Sequence, residues 1–224
     1  MHIPHGQTRD EDIETFAAAL EESLAGCHGY DGKKWIYVPH EYREYRYLLG
    51  TRGRKPLICI GINPSTAAPD DLDNTLKSVE RIAHGNGYDS FIMFNVYAQR
   101  ATRPDDMEKT CNAFLHSENM AAFEYILRNC AAQPAVWAAW GTIIEKRNYL
   151  FSCVADMIEI GKRYGAHWLT AGKESKAGHP HHPLYLRSDE KLRAFDVYSY
   201  TRSFLGDSDE KNKRAGIDKS AVLC

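Results

Sequence analysis

The chain predicts an α/β fold, a three-layer α/β/α sandwich around a central, mainly parallel sheet of about four strands. Four short apolar runs carry that expectation: LICIGI (57–62), FIMFNV (91–96), AVWAAW (135–140) and AHWLTA (166–171). They are continuous rather than alternating, which suits strands buried on both faces. The separators, 74–86, 108–131 and 142–163, read as helices, and regular strand–helix alternation suits right-handed crossovers in a parallel sheet.

The flanking elements follow in order. Residues 9–25 place Ile13, Phe16, Ala17, Leu20 and Leu24 at helical spacing before Gly26, so an amphipathic helix is expected there. Residues 34–38 and 42–49 have the Tyr, Trp, Ile and Val content of strands, and Gly50 to Pro56 reads as the turn that leads into the first apolar run. Residues 1–56 are thus a helix and β-rich extension packed on a core domain of 57–205. The tail 206–224 is polar, charged and poor in large apolar residues, which predicts a flexible segment.

Composition narrows the function classes. The 224 residues suit one globular domain with appendages, and a formal net charge of −2 supplies no general field for a polyanion, so any such site has to be a local patch. Six scattered cysteines without a CxxC pair argue against a disulfide framework or zinc cluster and for a reducing, cytoplasmic setting. No apolar stretch approaches a membrane span, and MHIPHGQTRDED lacks the order of a signal peptide. There is no nucleophile elbow, phosphate loop or dinucleotide fingerprint, which argues against the corresponding hydrolase, NTPase and Rossmann readings. No cofactor and no metal is expected.

Ligands of open parallel sheets bind beyond the carboxyl ends of the strands. Each expected strand end carries something polar: Asn63-Pro64-Ser65 after the first, and Asn95, then Tyr97, Gln99, Arg100 and Arg103, after the second. Trp140-Gly141 follows the third, and GHPHHPLYL (178–186) follows the fourth. On this reading Asn63, Asn95 and His182 converge on one cleft. Singly, each has a plainer reading: Asn63 shapes a turn and Asn95 caps a strand. His179, His181 and His182 lack a carboxylate or cysteine at matching spacing for a metal. Arg100, Arg103, Lys109, Lys173 and Lys176 form either a basic rim or solvated loops. Asp73 suits a helix N-cap, with a second use as a base in the cleft.

The order GINPSTA, FNVYAQRATRP, PAVWAAWG, HPHHPLYL resembles a bacterial and phage family of unknown function with an NPSTA signature, matching from about Tyr45 to Leu186. That family is similar, more distantly, to the uracil-DNA glycosylase superfamily, whose mismatch-specific branch shares the GINP motif. The resemblance implies that Asn63 orients an attacking water, Asn95 reads a base edge, and His182, with His179 second, donates to a base carbonyl and stabilises the leaving group. Asp73 would assist Asn63, Ser65 would stand where relatives carry a glycine, and Tyr97, Tyr185 and Leu184 would stack on or wedge beside an extruded base. HPS is replaced by His182-Pro183-Leu184, and no intercalation loop is visible. Two readings stay open: an N-glycosidic hydrolase acting on a damaged or modified base in DNA or a nucleotide, and a module that binds a nucleobase or single strand without cleaving it. A metal-dependent hydrolase built on the histidine run is a third.

Overall fold

The computed structural model describes residues 2–26, 28–130, 133–184 and 186–204. Seven strands form one mixed sheet: β1 (Trp35–Val38), β2 (Leu48–Thr51), β3 (Pro56–Gly61), β4 (Ser90–Asn95), β5 (Ala135–Ala138), β6 (His167–Thr170) and β7 (Arg193–Ala194), in the order β1-β2-β4-β3-β5-β6-β7. The four expected strands are its parallel centre, β4-β3-β5-β6. Antiparallel partners flank it, β2 on β4 and β7 on β6, so the sheet is wider than four strands and mixed. No apolar pattern announces β7, a pair of exposed residues held by main-chain pairing with β6 and by the bonds of Arg193 to Glu174 and Gly172 O.

Both faces of the centre are buried, as the continuous apolar runs require. Leu57 and Cys59 of β3 join Phe91, Met93 and Trp137 on one face, under Leu76, Val79, Ile82 and Ala83 of α2 (Asn74–Gly85). Ile58 and Ile60 join Phe94, Val136 and Ala138 on the other. That second face is covered by Phe16 of α1 (Phe16–Ala25), Phe123 of α3 (Ala113–Arg128) and Met157 of α4 (Tyr149–Arg163). The assignment of helices to faces follows from the strand order. Moving from β3 to β4 runs one way across the sheet, and β4 to β5 to β6 runs back, so right-handed crossovers put α2 on one face and α3 and α4 on the other. The direction reverses between β3 and β5, the place where open α/β sheets form a ligand crevice at their carboxyl ends.

Boundaries shift for local reasons. α1 starts at Phe16 because Thr15 caps it, its hydroxyl accepting from Ala18 N at 3.3 Å; Asp10–Asp12 forms a separate 3-10 turn. α3 starts at Ala113 because Asn112 caps Leu115 N at 2.7 Å. Trp140-Gly141 opens a 3-10 helix, Gly141–Lys146, which the extended Arg147 separates from α4. Gly50 lies inside β2 rather than in a turn. A Cβ there would meet the Phe91 main-chain oxygen at 2.2 Å, so the missing side chain is what lets β2 reach β4.

No helix among the described residues is long and apolar enough to cross a membrane. Cys59, Cys111, Cys130 and Cys153 are free thiols. Cys27, Tyr185, Cys224 and the tail 206–224 lie outside the described residues.

Candidate functional site

The loops leaving β3 and β4 run side by side. Val96 N donates to Gly61 O and Tyr97 N to Ile62 O, both at 2.9 Å, and Ala101 N donates to Pro64 O at 3.1 Å. Asn63 is fixed between them: its Nδ2 donates to Ala101 O at 2.6 Å and to Pro64 O at 3.2 Å. Both amide protons are spent, and Oδ1 is left as an acceptor with no donor from the described residues.

Ser65 and Asp73 are joined. The Ser65 hydroxyl donates to Asp73 Oδ2 at 2.6 Å, while Asp73 Oδ1 accepts Leu76 N at 2.9 Å and caps α2. The cap accounts for the Asp at this position, and the carboxylate it holds acts by its charge on both Arg46 and His182.

Asn95 ends β4 in register with Gly61 and is 1% exposed. A Cβ on Gly61 would stand 3.2 Å from Asn95 Nδ2, so this glycine makes room for the amide. Oδ1 of Asn95 accepts from Arg46 Nη2 at 3.4 Å, and its buried Nδ2 has no partner among the described residues.

Two buried arginines brace the Asn63 loop. Arg46 donates to Ala67 O at 3.0 Å, and Arg100 donates to Ser65 O and, at 2.9 Å, to the Tyr37 hydroxyl. They stand on one face because an antiparallel bridge pairs Tyr45 with Gln99, which makes 46 and 100 diagonal neighbours. Burial and the neighbouring Arg100 charge push the Arg46 guanidinium down to about 9, and burial lowers Arg100 as well. The ring of Tyr42 lies over Arg100, 4.4 Å from Cζ to its centroid.

His182 stands beside the exit of β5. Gly141, at φ 63°, carries the exit of β5 past it, and a Cβ there would come within 3.4 Å of His182 Cβ. The Leu184 N–H donates to His182 Nδ1 at 3.3 Å, which places the proton of the neutral ring on Nε2. Burial lowers the His182 pKa, His181 lowers it further, and Asp73 opposes both.

Other expected site residues lie elsewhere. His179 is fully buried with both ring nitrogens engaged, Nδ1 with the Tyr200 hydroxyl at 2.9 Å and Nε2 with Glu145 at 2.7 Å, and it stacks on Phe204. Tyr97 is buried in the core, its hydroxyl donating to Glu108 and accepting Asn112 N. Its ring packs edge-on against Tyr149, so no face is left for a base. Arg103 is exposed just before a short 3-10 turn, Pro104–Asp106, and makes no side-chain hydrogen bond to the described residues. Tyr185 lies outside the described residues. Among the described residues, no group of three His, Cys, Asp or Glu side chains could hold a metal. An open groove of about 980 Å³ beside His5, Thr8, Glu14 and Glu44 takes its lining from none of Asn63, Asp73, Asn95 or His182.

Sequence reading missed Arg46 and Tyr37. The available signal was an arginine between two tyrosines, Tyr45 and Tyr47, in a β-rich stretch, where period-two alternation sends it to one face. No curated protein and no solved structure matches the chain. The segment that builds the crevice, from Arg46 through Asn63 and Asn95 to the turn at Leu184, coincides with residues 46–184, which match the family described as a protein of unknown function, DUF1643; that is more than half of the chain, which therefore belongs to this family.

Proposed function

We propose that the crevice is a nucleobase site and that the chain is an N-glycosidic hydrolase similar to the uracil-DNA glycosylases, acting on a damaged or modified base in DNA or in a nucleotide. The observation that carries this reading is the locked amide of Asn63. Its two hydrogen bonds to main-chain oxygens aim Oδ1 as a fixed acceptor, which is what holding a water requires. Helices on both faces of a four-strand parallel centre agree with the three-layer α/β/α arrangement that the resemblance implies.

Breaking a glycosidic bond leaves an oxocarbenium-like sugar and an anionic base. Water held at Asn63 Oδ1 adds to the sugar carbon, the electron pair of the bond leaves with the base, and the proton of the water ends on base or solvent. The neutral His182 offers its Nε2–H to a base carbonyl as that oxygen gains charge. Asn95 Nδ2 offers a second donor to the base edge. Asp73, held by Ser65 and Leu76 N, contributes negative charge near the cationic sugar rather than proton transfer.

The same engagement of Asp73 favours a second reading, a module that binds a base without cleaving it, because the crevice then has no unspent carboxylate base. A glycosylase assay separates the two. Single- and double-stranded oligonucleotides carrying uracil, mismatched thymine, hypoxanthine or alkylated bases are incubated with the protein and treated with alkali. Strand scission lost in Asn63→Ala and His182→Ala supports the hydrolase. Salt-dependent binding with no abasic product across the panel supports the module instead.

A further inference from the structure

The base-binding reading leaves Arg46 and Arg100 unexplained. Both are almost wholly buried, at 1% and 0% exposure, yet all their hydrogen bonds to described residues end on neutral oxygens: Ala67 O, Asn95 Oδ1, Ser65 O and the Tyr37 hydroxyl. Bracing a loop needs donors, not charge. Two like charges buried together without a paired carboxylate oppose folding, so they ask for a counter-charge. The carboxylates whose charge acts on the pair are Asp73 on Arg46 and Glu44 on Arg100, and both are already engaged, Asp73 by Ser65 and Leu76 N and Glu44 by His2 and His5. Meanwhile the Nε–H groups of both arginines are buried without a partner among the described residues. Unspent donors on two guanidinium forks are the complement of an oxyanion with several oxygens.

We propose that Arg46 and Arg100 form a subsite for a terminal phosphate, so that the ligand of the crevice is a nucleoside monophosphate rather than an internal position of a nucleic-acid strand. The inference rests on the base-binding reading, since Asn95 links the two parts: its Oδ1 accepts from Arg46 while its Nδ2 stays directed to the base. Both guanidinium groups are shut from solvent and Tyr42 lies over Arg100, so a phosphate reaches them where this ring swings aside. That path admits the end of a molecule, whereas a phosphodiester has to continue in two directions through an open groove. A net charge of −2 also offers no field along a strand. Tyr42, 49% exposed over Arg100, is the side chain through which the pair meets the surface.

The test is the thermal midpoint of the full chain in phosphate-free buffer at constant ionic strength. The probes are inorganic phosphate, 2′-deoxyuridine, its 5′-monophosphate, and an oligodeoxynucleotide without terminal phosphates. The monophosphate is expected to raise the midpoint by roughly 5–10 °C at a hundredfold excess over its Kd, inorganic phosphate by less, and the oligonucleotide by no more than chloride. Arg46→Gln and Arg100→Gln should each weaken the monophosphate at least tenfold. Asn95→Asp places a carboxylate against Arg46, so it should raise the ligand-free midpoint and weaken phosphate at least tenfold, which keeps the test decisive where a Gln variant does not fold. The proposal is overturned where phosphate acts no better than chloride, where the oligonucleotide matches the monophosphate, or where Asn95→Asp changes neither quantity. Deoxyuridine binding as tightly as its monophosphate would also overturn it while leaving the base site standing. Phosphate binding with no gain from the nucleoside would uphold the subsite and sink the base site.

Discussion

The side-chain amide of Asn63 donates to the main-chain oxygen of Ala101 at 2.6 Å and so ties the loop leaving β3 to the loop leaving β4. An aspartate of the same shape cannot make that bond when ionised and would face two carbonyl oxygens. Asn63→Asp is therefore expected to cost about 2–4 kcal/mol in urea unfolding, although a carboxylate is the stronger base. Any glycosidic cleavage should fall with it. A wild-type unfolding midpoint in this variant would show that the two hydrogen bonds contribute nothing.

Asp73 combines a helix cap with a charge, and two substitutions separate them. Asp73→Ala loses Leu76 N and Ser65 together and should destabilise by about 1–2 kcal/mol. Asp73→Asn keeps an acceptor for Leu76 N and should stay within about 0.5 kcal/mol of wild type. The charge is gone and the Ser65 hydroxyl has to turn from donor to acceptor against the new amide, so the His182 titration followed by NMR should move to lower pH, because Asp73 is what raises it. An unchanged His182 titration would remove the electrostatic link across the crevice.

His182 gives stability a pH dependence of known sign. Its folded pKa lies below the ordinary 6.5, so the unfolded chain takes up the proton first. The contribution of this residue is then complete above about 6.5 and is lost as pH falls from there to the lowered folded value. His182→Gln should flatten that part of a stability-against-pH curve and reduce any glycosidic cleavage roughly a hundredfold, the scale of losing one positioned donor. The same slope in the variant would assign it to another group.

His179 should behave oppositely. Its ring is buried, both nitrogens are engaged, and Phe204 stacks on it, so His179→Ala is expected to cost about 2–4 kcal/mol while leaving base or nucleotide affinity unchanged where the protein stays folded. Isothermal titration below the unfolding temperature checks this. A tenfold loss of affinity would return His179 to the site.

The parallel centre was legible because residues such as Ile58 and Cys59 are apolar in succession, and only a strand covered on both faces wants that. Its flanks were not. Arg193 and Ala194 form β7 through main-chain bonds that no side-chain pattern reports, and Gly50 has the appearance of a turn residue although it permits close approach. The N-cap made Asp73 legible, but its pairing with Ser65, eight residues away, comes from the fold alone. His179 and His182 look equivalent in HPHHP; the difference between them comes from Glu145 and Tyr200, which only the folded chain brings to His179. Arg46 was passed over because an arginine among tyrosines reads as a surface residue until the bridge between Tyr45 and Gln99 puts it inside.

That bridge also bears on how the molecule comes apart. β2 meets β4 through two residue pairs only, Leu49 with Met93 and Gly50 with Ile92, and the chain before it is held by the bonds from Arg46 N to Ala98 O and Arg100 N to Glu44 O. A local opening that peels β1 and β2 from the edge of the parallel centre therefore takes Arg46 and Tyr37 away from Asn95 and Arg100, while β3 to β6 stay paired. The crevice can be dismantled by a partial unfolding event that leaves the parallel centre paired while exposing Val38, Leu48 and Leu49 of the core, and amide hydrogens of 46–51 should exchange with solvent before those of 57–61.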